Sequence, residues 1–243
     1  MGAVSRRSFL GTTAALAAAG AASPLHSMAQ QPAPHAAATD PALAEFSKLI
    51  RNPAHIKQVF DVTAIGEGRF LNNIKNSLNG LHVGFGIPAD QIKIVAALHG
   101  PTNLMNYNDY VWEKYKVGEW LKVTDPDTGQ PAVRNIFFPS KTASGAVDAT
   151  APSSGNPMAA GSRYQDTSIQ ALQGRGVGFL SCRTATTEQS KVLAKRPGQT
   201  MSADEILSDL LAHTLPGVLV VPAMVGAIAL LQTDGHYSYI TIT

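Results

Sequence analysis

The sequence predicts an α/β protein: a single domain on a mostly parallel sheet of about five strands, with helices on both faces and a long insertion between strands 2 and 3. Three observations carry this. Short apolar runs such as Ile92-Lys93-Ile94-Val95-Ala96-Ala97-Leu98 read as strands buried on both sides. Segments of helical periodicity separate them, in the order β-α-β, insertion, β-α-α-β-α-β. The 243-residue chain shows no repeats and no second domain, and it is long enough for a sizeable core.

The first element is an address. Ser5-Arg6-Arg7-Ser8-Phe9-Leu10 leads into a weakly apolar, alanine-rich run, Gly11 to Ala22, which is the pattern of a twin-arginine export signal. Ser27 and Ala29 flank Met28 as an A-x-A-like cleavage site, so residues 1–29 are set apart from the fold. Export to the periplasm follows from this reading. Residues 30–54 then form a Pro/Ala leader and a short helix opened by Asp40-Pro41, with Leu43, Phe46 and Ile50 inward.

The α/β domain occupies residues 55–243. A first strand lies in 55–65, around Val59-Phe60-Asp61-Val62, and Gly66-Glu67-Gly68 makes a turn. Phe70, Leu71, Ile74, Leu78 and Leu81 recur at helical spacing, and Ile92 to Leu98 is a second strand ending at His99-Gly100. The insertion spans about 106–165. It holds a helix over 106–121, a turn at Asp125-Pro126-Asp127-Thr128-Gly129, and a Ser/Gly/Ala/Pro-rich stretch over 141–161. Next come a helix over 168–173, a strand from Gly176 to Leu180 ending at Ser181-Cys182, and a helix over 187–195. Ser202 and Glu205 form a capping box. Val218 to Val221 is a fourth strand, 223–232 a helix ended by Gly235, and 237–242 the last strand.

Charge and composition exclude several functions. The formal net charge is +2, and without Arg6 and Arg7 the chain holds 17 basic and 17 acidic residues. That balance gives no electrostatic footprint for nucleic acid or anionic lipid. The apolar stretch 215–231 is interrupted by Pro216, Gly217, Pro222 and Gly226, so no membrane span is expected after signal cleavage. A single cysteine, Cys182, rules out an internal disulfide and any Cys-rich metal site. No ligand spacing points to a metal or cofactor.

In an open parallel sheet, ligands gather outside the carboxyl ends of the strands. His99, Cys182 and Pro222-Ala223-Met224 fall there, and the insertion leaves from the same edge, where it reads as a lid. Cys182 is the candidate catalytic residue. Its place between strand and helix puts it near free backbone N–H groups and the positive end of a helix dipole, both of which favour thiolate. The alternative is a buried cysteine acting as a small hydrophobe. The candidate substrate-binding residues are His99, Asn103, Arg183 and Thr184.

Other signals are structural. Gly66-Glu67-Gly68 lacks the remainder of a dinucleotide fingerprint. Asp204, Glu205 and Asp209 are expected on an exposed helix face, and His236 at the far end of the sheet. Tyr107, Tyr110, Trp112, Tyr115 and Trp120 read as helix packing or a subunit interface.

With these elements in place, the chain resembles the DsrE/DsrF-like family of small α/β sulfur-relay proteins. The matching pieces are Ile94-Val95-Ala96-Ala97-Leu98-His99-Gly100, Gly176-Val177-Gly178-Phe179-Leu180-Ser181-Cys182, Leu219 to Ala223, and Ala227 to Tyr239. The resemblance covers about residues 55–242 without the insertion, and it lies in the order of the pieces more than in any one of them. It implies a homo-oligomer, a trimer or hexamer, and a persulfide carried on Cys182. The partners would then be small sulfur species or a sulfur-donor protein. The insertion of about fifty residues and the export signal depart from the family pattern. The rival reading is a non-catalytic oligomeric binding or assembly module with a buried, inert Cys182.

Overall fold

Successive side chains on a strand point to opposite faces, so each strand here feeds two cores. The computed structural model describes residues 41–139, 159, 162 and 164–242. The export signal, its cleavage site, the leader with Asp40, and most of 141–161 lie outside the described residues. The strands are β1 (Ile56–Val62), β2 (Ile92–Leu98), β3 (Gly178–Cys182), β4 (Val218–Val221) and β5 (Ser238–Ile242). All pair in parallel, in the order β4-β3-β2-β1-β5. The helices are α1 (Pro41–Ile50), α2 (Arg69–Asn79), α3 (Asp109–Lys114), α4 (Val117–Leu121), α5 (Ile169–Gly174), α6 (Arg183–Ala194), α7 (Ala203–Ala212) and α8 (Met224–Thr233).

Phe60, Val62, Ile94, Ala96, Leu98 and Phe179 face one layer, formed by α2, α5, α6, α7 and the insertion. Val59, Val95, Ala97, Leu180, Cys182 and Val221 face the other, formed by α1 and α8. From β1 to β4 the chain winds in one direction. Then α8 carries it back across the opposite face to set β5 beside β1. The winding therefore reverses between β1 and β5, the place where sheets of this kind open a crevice at their carboxyl ends. Among the described residues no helix is long and apolar enough to cross a membrane.

Several elements differ in detail from expectation. In α1 the buried residues are Phe46 and Leu49, while Leu43 and Ile50 are only half-buried. The single helix expected over 106–121 is two, α3 and α4, broken where Lys116 adopts φ 49°, and a 3-10 run over Gly100–Asn106 precedes them. α6 starts at Arg183, four residues before the expected Thr187. Its threonines fit a helix because the Thr186 and Thr187 hydroxyls each donate back, at 3.0 Å, to the carbonyls of Cys182 and Arg183. At the exit of α8 a Cβ on Gly235 would press into the Leu231 carbonyl at 2.6 Å, which is why glycine stands there.

The described part of the insertion packs on the α2 side of the sheet. Tyr107, Trp112 and Tyr115 are buried there in the chain's own core, and Phe137 lies against Gly68. The described residues of the insertion therefore form no lid over the thiol: they cover the face opposite to the one that holds Cys182, because their aromatic bulk completes the α2 layer. Asp209 is also not on an open face. It sits half-buried, accepting from the Tyr115 hydroxyl at 2.6 Å and the Lys114 ammonium at 2.9 Å, and so ties α7 to α3.

Candidate functional site

Cys182 is the last residue of β3 and the N-cap of α6. With φ −93° and ψ 114° it is still extended, so its side chain keeps the alternation of the strand and joins Leu180, Val221 and Met224 on the α8 side. Sγ accepts a hydrogen bond from Ala185 N–H at 3.4 Å, taking up one of the free donors of the first turn. Only 5% of the residue is exposed.

Asn103 fixes the backbone at this junction from the other side of the sheet. It is fully buried, and its Oδ1 accepts from Cys182 N–H at 2.8 Å and from Ser181 Oγ–H at 2.9 Å. Its Nδ2 shares two hydrogens among three acceptors, Tyr107 OH at 3.1 Å, Thr186 Oγ1 at 3.1 Å and Gln189 Oε1 at 3.0 Å. Gln189 Nε2 in turn donates to the Gly100 carbonyl at 2.8 Å. Burial pushes the Tyr107 hydroxyl up, so it stays a neutral partner of Thr186 at 2.7 Å. Asn103, reached from β2 through the 3-10 run, thus locks the end of β2 to the start of α6. Its polar atoms are engaged inside the fold.

His99 follows β2 in extended conformation, and its Nε2 lies 2.6 Å from Asp61 Oδ1. The other carboxylate oxygen of Asp61 accepts the hydroxyl of Tyr239, a bond that pushes that hydroxyl up from its ordinary value. Asp61 and Val59 share a strand face, and Tyr239 pairs with Val59, so both lie on the α8 side. His99 and Cys182 follow the last paired residues, Leu98 and Ser181. The carboxyl ends therefore carry, on one face, Cys182 on β3, His99 after β2 and Asp61 on β1, and Tyr239, near the start of β5, reaches Asp61 with its hydroxyl. The thiol is covered, whereas the His99 side chain is 22% exposed and Tyr239 45%.

The sequence reading names Asp61 and Tyr239 only as strand residues and gives neither a place in the site. Asp61 left a signal: it is a carboxylate set in the apolar run Val59-Phe60-Asp61-Val62 of a strand flanked on both sides. Tyr239 left none, since the pairing of β5 with β1 is not legible locally.

Arg183 and Thr184 are exposed in the first turn of α6. Thr184 Oγ1 donates to the Pro222 carbonyl at 3.0 Å, which joins the ends of β3 and β4. Arg183 has no ion-pair partner among the described residues. The Gly66-Glu67-Gly68 segment is a 3-10 turn with Glu67 at φ 57°. His236 is exposed at φ 55°, between α8 and β5. Among the described residues no three His, Cys, Asp or Glu side chains gather as a metal site would require.

Fold and site together define a three-layer α/β protein with a thiol, an imidazole and a carboxylate along one sheet edge. No family model matches the chain, no curated protein matches it, and no solved structure does so.

Proposed function

We propose that this is an exported sulfur carrier of the DsrE/DsrF-like kind, in which Cys182 holds sulfane sulfur as a persulfide. The observation that carries the reading is the placement of the thiol. It ends a central parallel strand and receives the Ala185 N–H of the following helix, and the neighbouring strand end presents His99 bonded to Asp61 on the same face. That N–H is a donor placed to bond the sulfur as it attacks. Arg183, exposed one residue on, adds positive charge beside the path of an anionic sulfur species. The twin-arginine pattern of residues 5–10 supports export to the periplasm, and the resemblance suggests a trimer or hexamer with a sulfur-donor protein or small sulfur species as partner.

The low exposure of Cys182 among Leu180, Val221 and Met224 favours a second reading, a non-catalytic binding or assembly module with an inert thiol. Intact-protein mass spectrometry separates the two. The protein is incubated with inorganic polysulfide, with and without reductant, beside Cys182→Ser. Added mass of one or two sulfur atoms, lost on reduction and absent from the variant, supports the carrier. A thiol that resists both polysulfide and a small alkylating agent leaves the module.

A further inference from the structure

A cleft of about 500 Å³ lies between the break that separates α3 from α4 and the turn that follows α6. α6 runs about 18 Å from Cys182 before that turn begins, so the cleft stands a helix length from the thiol and owes nothing to its chemistry. We propose that this cleft binds a small organic monocarboxylate with a flat apolar body, the carboxylate taken by Arg196 and the body resting against Trp120 and Pro197.

Arg196 opens the turn between α6 and α7, where its N–H donates to the Leu193 carbonyl at 3.0 Å. Its side chain is half-buried and held from two sides. Nη1 donates to the Tyr115 carbonyl at 2.6 Å, and the guanidinium carbon lies 4.7 Å from the centre of the Trp120 ring. These contacts fix the plane of the fork and leave most of its five N–H donors free of protein partners.

The other cations of the cleft are spoken for. Lys114 donates to Asp209 at 2.9 Å, and Lys116 pairs with Glu119 at 3.9 Å. No carboxylate among the described residues pairs with Arg196. Burial pushes its guanidinium down from the ordinary value, and the charge of Glu119 only partly offsets this. A cation withdrawn from water is costly until an anion meets it, and a ring face and a carbonyl offer only partial negative charge. A guanidinium fork matches the two oxygens of a carboxylate. One uncompensated cation calls for one negative charge, which favours a carboxylate over a phosphate dianion. The volume falls in the range of roughly 300–1,000 Å³ typical of small-molecule sites. Trp120 and Pro197 supply the apolar wall.

Benzoate titrated into the full chain tests this, followed by proton–nitrogen NMR at the Trp120 indole and the Arg196 Nε–H. Trp112, fully buried in the core, is the internal reference. The result expected is saturable movement of both signals below about 10 mM benzoate, with the Trp112 indole unmoved. Benzamide, which has the same body without the charge, should bind about tenfold more weakly, and Arg196→Gln should weaken benzoate about tenfold or more. The benzamide comparison uses the parent protein, so it decides the matter whether or not the variant folds. No saturable movement up to about 10 mM, benzamide binding as tightly as benzoate, or native affinity in a folded Arg196→Gln overturns the inference. Inorganic phosphate that binds more tightly than benzoate overturns it too.

Discussion

Replacing Asn103 with alanine removes the group that ties β2, β3 and α6 together, and the cost can be worked from its partners. Tyr107 and Thr186 keep each other at 2.7 Å, and Gln189 keeps the Gly100 carbonyl at 2.8 Å. The Cys182 N–H and the Ser181 hydroxyl lose the acceptor that Asn103 supplies, and both are buried. A buried donor left without a partner costs about 1–3 kcal/mol. Two of them, with about 1 kcal/mol for the small void, give a loss of about 3–7 kcal/mol. That is a large share of the roughly 5–15 kcal/mol that holds a domain folded. Urea unfolding of the variant and the parent, compared through midpoint and slope, measures it. Asn103→Leu separates the causes, since it fills the volume while orphaning the same donors, and a comparable loss is expected. A loss under about 1 kcal/mol in the alanine variant, with unchanged slope, would refute the assignment of Asn103 as the hub of this junction.

Two glycines should respond in opposite ways to alanine. A Cβ on Gly118 would overlap the backbone carbonyl of Ala132, which cannot swing aside, so Gly118→Ala should lose about 2 kcal/mol or more. Gly226 lies inside α8 with open space where a Cβ would stand, and Gly226→Ala should be neutral or gain up to about 1 kcal/mol. Thermal unfolding that ranks the pair the other way would contradict the packing described. Asp209 predicts a pH effect. Burial pushes its carboxyl up, but the bonds from Tyr115 and Lys114 outweigh this and hold it below the usual carboxylate range. A depressed folded value means that its contribution is complete above about pH 4, the unfolded value, and is lost as pH falls through the folded one. Asp209→Asn should therefore flatten the loss of stability below about pH 4, and urea midpoints that fall as steeply as in the parent would count against it.

Much of the fold was legible because its signals are local. The Ile92–Leu98 run is apolar on both faces, as a central strand must be, and the Ser202–Glu205 capping box marks the start of α7 within one residue. Sheet order was not legible, because the return of β5 to β1 depends on α8 crossing three strands, and nothing within Ser238–Ile242 encodes its neighbour. The start of α6 was missed because Thr184, Thr186 and Thr187 weigh against helix by propensity, while the Cys182 cap starts the helix there all the same. Cys182 and His99 were legible as strand-end residues. The network of Asn103 was not, since its partners lie up to 86 residues away.

The dipeptide Ser181-Cys182 shows how the two halves of the site depend on one strand. Alternation sends the Ser181 side chain to the α2 layer, where Asn103 receives it, and the Cys182 side chain to the α8 layer, on the face that also carries His99 and Asp61. A shift of one residue in the register of β3 would exchange these faces, putting the thiol into the polar network and the hydroxyl into an apolar core. The Asn103 bond to Cys182 N–H opposes that shift directly, since it grips the backbone where the strand becomes a helix. The buried polar network thus sets which face carries the thiol, while Leu180, Val221 and Met224 set what the thiol meets there. Because the two lie on opposite sides of the sheet, a substitution at Asn103 acts on the backbone of the junction, and one at Val221 or Met224 acts on the cover of the thiol.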